Sequence, residues 1–420
     1  MSEADVHAEM VTGDVYDGPR GRCALGLAPV WSARHRGEDP AVLYPRGPVS
    51  SFSDFLLLPS LRETLAQQGI VRPTEIQART LPPLLEGTPV AAVAETGSGK
   101  TLAYVLPMLH QLKELENQGS PVERPGTPRG LVLVPGRELG EQVSKVFKSL
   151  THTTRLRVRS VLGGTKKQQA RQNVSGLLEV VVATPGRCEQ LMLSGELRLD
   201  DIRMLVFDEA DQLLDPGFLP VAQRVVRACP RAAQLVMFSA TLPQTLEAVV
   251  NDLFGSSPLR IRTRGSNKVV ASLVTENITV TKGRRFDVLG EILDQDPAAG
   301  TLLFANTRRQ CAAIAEWLVE SGILFVNYTG EMERVERRRN LARLREGEVS
   351  VLVTTDLGGR GLDIDRVERV INVHMPSTVD NYLHRAGRTA RAGRPGLIVN
   401  LVTQRDHPLL AKLRKREEKR

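Results

Sequence analysis

Aromatic side chains are scarce: two Trp, five Tyr and ten Phe among 420 residues, or 4%. So little ring surface argues against a binding mode built on stacked bases, and a grip on a nucleic acid is expected to rely on backbone contacts more than on stacking. Cysteine is scarce as well. Cys23, Cys188, Cys229 and Cys311 stand far apart, with neither a CxxC pair nor a zinc-ligand spacing. That excludes a disulfide framework and fits free thiols in a reducing compartment. No uninterrupted apolar run approaches the ~20 residues of a membrane-spanning helix, so no membrane partner is expected. The first residues, Met1-Ser2-Glu3-Ala4-Asp5, are acidic, and carboxylates recur at Glu9, Asp14 and Asp17. Neither a secretory leader nor an Arg-rich transit peptide has that charge, and the expectation is a cytoplasmic protein, with nucleolar or mitochondrial placement as alternatives.

What is present points elsewhere. A net charge of +8 suits a polyanionic partner, and 420 residues with 41% hydrophobic content allow two domains with a core each. Residues 94–101, Ala-Glu-Thr-Gly-Ser-Gly-Lys-Thr, fit a phosphate loop, with the apolar run Val90–Val93 before it and an apolar helical pattern, Leu102 to Leu112, after it. Thr96, Gly97, Ser98 and Gly99 let backbone N–H groups turn inward around phosphate oxygens at a helix N-terminus. Lys100 would reach the terminal phosphates, and the Thr101 hydroxyl would ligate Mg²⁺. The spacing predicts a nucleoside triphosphate site.

Residues 1–50, rich in Gly, Pro, Arg and Asp, read as an irregular extension. Helical patterns begin at Phe52 and at Pro73-Thr74. Strand-length apolar runs follow at Leu131–Val134, Val180–Ala183, Met204–Phe207 and Leu235–Phe238, with helical patterns near 140–150, 164–178 and 219–228. Such alternation predicts a parallel sheet covered by helices on both faces. Residues 114–130, with three prolines, read as a surface loop. The polar stretch Arg260–Ala271 is the candidate linker, with domain boundaries at 51–262 and 273–405 and a linker at 263–272. A second series of runs, Ile278–Val280, Leu302–Phe304, Leu324–Val326, Val351–Val353, Val370–Val373 and Leu397–Val402, repeats the alternation without a second phosphate loop. Two similar sheets with one nucleotide loop imply a shared cleft. Residues 406–420 read as a basic tail.

Leu205-Val206-Phe207-Asp208-Glu209-Ala210-Asp211 ends a buried strand in carboxylates, where open parallel sheets bind their ligands. Asp208 is placed to hold Mg²⁺, and Glu209 to orient and deprotonate an attacking water.

Asp208–Asp211 spells DEAD, and from about Phe52 to Thr403 the chain resembles the DEAD-box RNA helicases of superfamily 2. The resemblance implies two tandem RecA-like domains, an α/β fold of parallel sheets flanked by helices, with ATP and RNA in a shared cleft. Gly69 to Gln77 resembles the adenine-reading Q motif, with Gln77 pairing the base and the upstream aromatic Phe52 set against it. Pro135–Gly140, Gly163-Gly164 and Thr184–Arg187 resemble three RNA-backbone elements, which assigns Arg137, Gly164, Thr184, Gly186 and Arg187 to RNA. Ser239-Ala240-Thr241 matches the SAT motif, whose hydroxyls would bond the DEAD carboxylates, Asp211 among them. In the second domain Phe304–Arg308, Arg334–Arg337, Thr355–Asp363 and Tyr382–Arg391 resemble the remaining motifs. They assign Thr307, Arg337 and Thr355 to RNA, Gly361 and Asp363 to the nucleotide, His384 and Arg385 to contact with the DEAD carboxylates, and Arg388 and Arg391 to the γ-phosphate. Gly136, Ile70, Glu75, Thr329, Arg334 and Ala390 depart from the family pattern. The implied activity is RNA-stimulated ATP hydrolysis by a monomer that unwinds short duplexes or remodels ribonucleoprotein or ribosome-assembly partners. A nucleotide-gated RNA clamp and a DNA translocase are the competing readings.

Overall fold

The computed structural model describes residues 51–95, 97–241, 244–255, 258–263, 273–281, 283–296, 300–330, 332–359, 367–390 and 395–418. The extension 1–50 and all of the linker but Thr263 lie outside them.

The first sheet is built from β1 (Val90–Val93), β2 (Gly130–Leu133), β3 (Val158–Val161), β4 (Val180–Ala183), β5 (Met204–Asp208), β6 (Gln234–Ser239) and β7 (Leu259–Arg262). Their order is β3-β4-β2-β5-β6-β1-β7, and every pairing is parallel. The second sheet joins β8 (Leu273–Thr279), β9 (Thr301–Ala305), β10 (Phe325–Tyr328), β11 (Val351–Thr355), β12 (Arg369–Asn372) and β13 (Gly396–Val402) in the order β10-β11-β9-β12-β13-β8, again all parallel. Central strands are buried on both faces, which is why they read as unbroken apolar runs. Alternate side chains feed separate cores. Val132, Val180, Val182 and Val206 face one layer, while Leu131, Leu133, Val181 and Phe207 face the other.

The edges differ from expectation. β3, Val158-Arg159-Ser160-Val161, and β7, Leu259-Arg260-Ile261-Arg262, carry arginine on their exposed positions. Charge on an edge strand blocks pairing with another chain and hides the strand from a search for apolar runs. β7 therefore occupies the start of the stretch read as linker. The surface loop at 114–130 is also shorter than expected. Helix α3 (Lys100–Asn117) extends into it, and residues 126–130 are buried. Gly126 turns there with φ +66°, where an added Cβ would lie 2.4 Å from the Glu196 carbonyl oxygen.

At the C-terminus a second difference appears. The basic segment forms a helix, His407–Glu418, and its Leu409 and Leu413 pack into the core with Leu302, Val370 and Ile398. Lysines and arginines coat the outer face of a helix whose inner face is apolar. Leu413→Ala is expected to lower the denaturation free energy by about 2 kcal/mol, since a buried leucine is truncated at the margin of a core. The exposed neighbour change Lys412→Ala should move it by less than about 0.5 kcal/mol. Urea melts of the two variants check this.

Candidate functional site

The motif residues collect at the C-terminal ends of both sheets. β1 leads into the phosphate loop, whose Gly99 has φ +90° and N-caps α3. A Cβ at Gly99 would lie 2.5 Å from Gln77 Nε2, so that position demands glycine. Gln77 lies in the first turn of α2 (Glu75–Leu85); its Oε1 accepts from the Thr74 N–H at 2.9 Å and its Nε2 donates to the Gly99 carbonyl at 3.0 Å. One amide hydrogen and one lone pair remain for a base, so the residue assigned to adenine is also fastened to the phosphate loop. Phe52 is buried in the first core with its ring centroid 6.2 Å from that of Phe55.

Lys100 Nζ donates to the carbonyls of Ala94 at 2.8 Å and Glu95 at 2.9 Å, and Ser98 Oγ donates to the same Glu95 oxygen at 2.6 Å. Burial lowers the lysine's pKa; Asp208, Glu209 and Asp211 oppose that, and Arg388 adds to it. Phosphate oxygens entering the loop would take the place of those two carbonyls. Thr96 lies outside the described residues.

The carboxylates of the DEAD stretch have different surroundings. Asp208 accepts from the Tyr104 hydroxyl at 2.7 Å and from the Glu209 N–H at 3.0 Å. Burial pushes its pKa up to about 6, against the pull of Lys100. Glu209 N-caps α7 (Ala210–Leu213) with φ +54°, and its carboxylate receives the Gln212 amide at 2.6 Å. Asp211 accepts from Thr241 Oγ1 at 2.8 Å and from the Thr241 N–H at 3.2 Å. His384 of the second domain lies 3.4 Å away. Burial alone would raise the Asp211 pKa, but His384, Thr241 and Ser239 together hold it down at about 2. Both hydroxyls of the Ser239-Ala240-Thr241 stretch bear on Asp211: Thr241 Oγ1 bonds its carboxylate, while Ser239 Oγ accepts the Asp211 N–H at 3.3 Å and donates to the Thr241 carbonyl. Gln212 and Tyr104 are absent from the residues assigned by motif; Gln212 stands one helical turn after Glu209, whereas Tyr104 reads in the sequence only as packing.

Arg388 is 4% exposed, with Nε donating to the His384 carbonyl at 3.1 Å, and its charge reaches Lys100 across the cleft. Arg385 corrects an expectation. It does not reach the DEAD carboxylates, being buried inside the second domain. Its guanidinium binds both oxygens of Asp356, at 2.5 and 2.7 Å, with Asn372, Asn306 and the His374 carbonyl each at 2.8 Å. It also lies 5.0 Å from the centre of the Phe304 ring. Gly361, Asp363 and Arg391 fall outside the described residues.

The three backbone elements of the first domain are knitted into one edge. Arg137 Nη1 donates to the Gly163 carbonyl at 3.0 Å beside Gly164, and the Gly163 N–H donates to Thr184 Oγ1 at 2.9 Å. Arg187, which follows Gly186 in α6 (Pro185–Leu193), donates to the Thr165 carbonyl at 2.7 Å. In the second domain Thr307 caps α11 (Arg308–Glu320), and Thr355 Oγ1 accepts the Gly358 N–H at 3.2 Å. Arg337 has a partner that its motif did not predict: Glu138 of the first domain, at 2.9 Å. Arg338 lies 3.6 Å from Glu141 of the same helix, α4 (Arg137–Thr154).

A phosphate loop on one parallel-sheet domain, faced by a buried arginine from a second, defines a two-domain nucleotide-binding protein with its site in the cleft. The family models narrow this. "DEAD/DEAH box helicase" matches residues 74–249, and "Helicase conserved C-terminal domain" matches residues 284–393. ATP-dependent RNA helicase SrmB of Escherichia coli is 36% identical over 366 residues, which cover 87% of this chain and 81% of that protein. The Haemophilus influenzae protein of the same name is 33% identical over 371 residues, covering 88% and 83%. Saccharomyces cerevisiae Dbp5, solved bound to RNA and ADP BeF3, superposes with a TM-score of 0.77 at 27% identity, over 87% of this chain and 93% of that one. The chain belongs to the DEAD-box helicase family, and its two sheets are tandem RecA-like domains.

Two variants separate the neighbours His384 and Arg385. Arg385→Ala strands Asp356 in a buried network and should destabilise the second domain by about 3–5 kcal/mol. His384→Ala should leave overall stability within about 1 kcal/mol but change its pH dependence. The folded pKa of Asp211 is depressed, so its contribution is present above about pH 4 and is lost as pH falls toward 2. Without His384 the depression shrinks, and denaturation free energies measured between pH 5 and 2 should fall less steeply than in the parent protein.

Proposed function

We propose that this protein is an ATP-dependent RNA helicase, an RNA-stimulated ATPase that grips RNA by its backbone. In this reading it opens short duplexes or remodels RNA–protein complexes while hydrolysing ATP to ADP and phosphate. The observation that carries the reading is the contact of His384 with Asp211, because it ties the DEAD carboxylates to the helix Val379–Ala386, whose C-terminal end leads directly into Arg388. Closure of the cleft and completion of the nucleotide site are then one event. Relatives named as ATP-dependent RNA helicases, and a structural neighbour solved with RNA and ADP BeF3, support it.

In this mechanism Gln77 reads adenine by its remaining donor and acceptor, and the phosphate loop exchanges its own carbonyls on Lys100 for phosphate oxygens. Thr101 and Asp208 would hold Mg²⁺. They fit it, since both offer hard oxygen donors and no group of three His, Cys, Asp or Glu forms an all-protein cage among the described residues. When bound, that ion neutralises charge on the β- and γ-phosphate oxygens. Glu209, held by Gln212, accepts a proton from the water that attacks the γ-phosphorus, and the bond to the β–γ bridging oxygen breaks. Arg388 and Arg391 approach from the second domain to meet the developing charge. RNA lies along the edge from Arg137 to Arg187, continued by Thr307, Arg337 and Thr355, and favours closure as nucleotide does, so each ligand raises the affinity for the other. The net charge of +8 supports such a partner. A cytoplasmic monomer serving ribonucleoprotein or ribosome assembly completes the reading.

Lys100→Ala and Glu209→Gln should each lower RNA-stimulated phosphate release by at least about 10²-fold. Arg388→Ala should lower kcat by about 10³-fold with nucleotide affinity nearly unchanged. Strand displacement on a short RNA duplex should require ATP and fail on the matching DNA duplex. Full turnover in Lys100→Ala, or displacement without ATP, would overturn the reading.

A further inference from the structure

Tyr104 lies within the first turns of α3, three positions after Thr101 and four after Lys100, so it stands about one turn beyond both. Its side chain is wholly buried, with the ring centroid 5.5 Å from that of Phe238. A phenylalanine would fill the same space. The hydroxyl is the part that packing does not require, and its contact has a direction. It donates to Asp208 Oδ2 at 2.7 Å, with Thr101 one turn earlier on the same helix. Asp208 is one of the two side chains read as holding Mg²⁺.

The other Asp208 oxygen receives the Glu209 N–H at 3.0 Å. The carboxylate is thus pinned at both oxygens, one by its own chain turn and one by α3. The terminal torsion of an aspartate is broad by itself, so the phenol supplies the constraint that selects one orientation. Losing the hydroxyl would also leave Oδ2 buried without that donor. Protein groups that orient a metal-binding carboxylate from behind tune metal affinity as the ligands themselves do.

We propose that Tyr104 is a positioning residue of the magnesium site, fixing the Asp208 carboxylate in the orientation that meets the ion beside Thr101. The proposal rests on the reading of Asp208 and Thr101 as the Mg²⁺-holding pair. Its test is Tyr104→Phe, which keeps the ring and removes one oxygen. Binding of a fluorescent ATP analogue is titrated against Mg²⁺ and repeated in EDTA, with no turnover required, and circular dichroism confirms the fold. The Mg²⁺ concentration for half-maximal analogue binding should rise about tenfold, while affinity in EDTA stays within about twofold. Asp208→Asn should abolish the Mg²⁺ response, and adding Tyr104→Phe to it should change nothing further. A half-saturating Mg²⁺ concentration in Tyr104→Phe equal to that of the parent protein would reduce the tyrosine to core packing and overturn the proposal. If the parent protein and Asp208→Asn both bind the analogue equally with and without Mg²⁺, the magnesium reading itself fails, and the proposal with it.

Discussion

Three carboxylates are buried and a lysine half-buried where the strands of the first sheet end, and the rest of the molecule is arranged to keep every one of them partnered. An isolated buried charge is unfavourable enough that it would neutralise or unfold its surroundings. Asp208 has Tyr104 and its own turn, Glu209 has Gln212, Asp211 has Thr241 and His384, and Lys100 has two loop carbonyls. The donors come from α3, from the helix after β5, from the strand end of β6 and from the second domain. No short segment could assemble this set, so the nucleotide site is a property of the folded pair of domains and not of the phosphate loop.

The same logic governs the RNA edge. Arginines assigned to phosphate are already satisfied by protein oxygens: Arg137 by Glu141 and Gly163, Arg187 by Gln190 and Thr165, Arg337 by Glu138. Arg137 is buried and more firmly enclosed, whereas the Arg337–Glu138 pair is half-buried, so water still competes for both partners and it contributes about 0–1 kcal/mol. That weakness suits the task. Carboxylates that hold an arginine loosely keep it extended toward the cleft and release it to a phosphate at small cost.

Much of this was legible in the sequence where recognition depends on fixed spacing. A phosphate loop needs glycines, a lysine and a hydroxyl at set intervals, and DEAD needs a buried strand before it, so Gly97 to Thr101 and Asp208 to Asp211 announce themselves. Parallel strands buried on both faces also read directly as apolar runs. β3 and β7 did not, because an edge strand protects itself with arginine on alternate positions. Arg385 was assigned to the cleft with His384 by the motif they share, yet successive helical residues point about 100° apart, and that rotation separates a cross-domain contact from a core network. Tyr104 was silent for another reason. In an apolar helix a tyrosine reads as packing, and only the fold shows that its oxygen meets an aspartate 104 positions later.

Among the described residues three without the freedom of glycine adopt left-handed backbone, Arg155, Glu209 and Ala390, and the last two stand beside the charges that matter. Glu209 has φ +54° and Ala390 has φ +53°. Each conformation is unfavourable by roughly 1–2 kcal/mol for a residue with a Cβ, so each persists because its surroundings over-determine it. Glu209 is held between the end of β5 and the start of α7, with its carboxylate on Gln212. Ala390 follows Thr389, whose hydroxyl donates to the carbonyls of Val367 and Glu368. Gly396 lies against it so closely that a Cβ there would fall 2.5 Å from the Ala390 nitrogen. With alanine where the family carries glycine, this left-handed turn is less favourable to hold, and the contacts made by Thr389 and beside Gly396 must offset that strain.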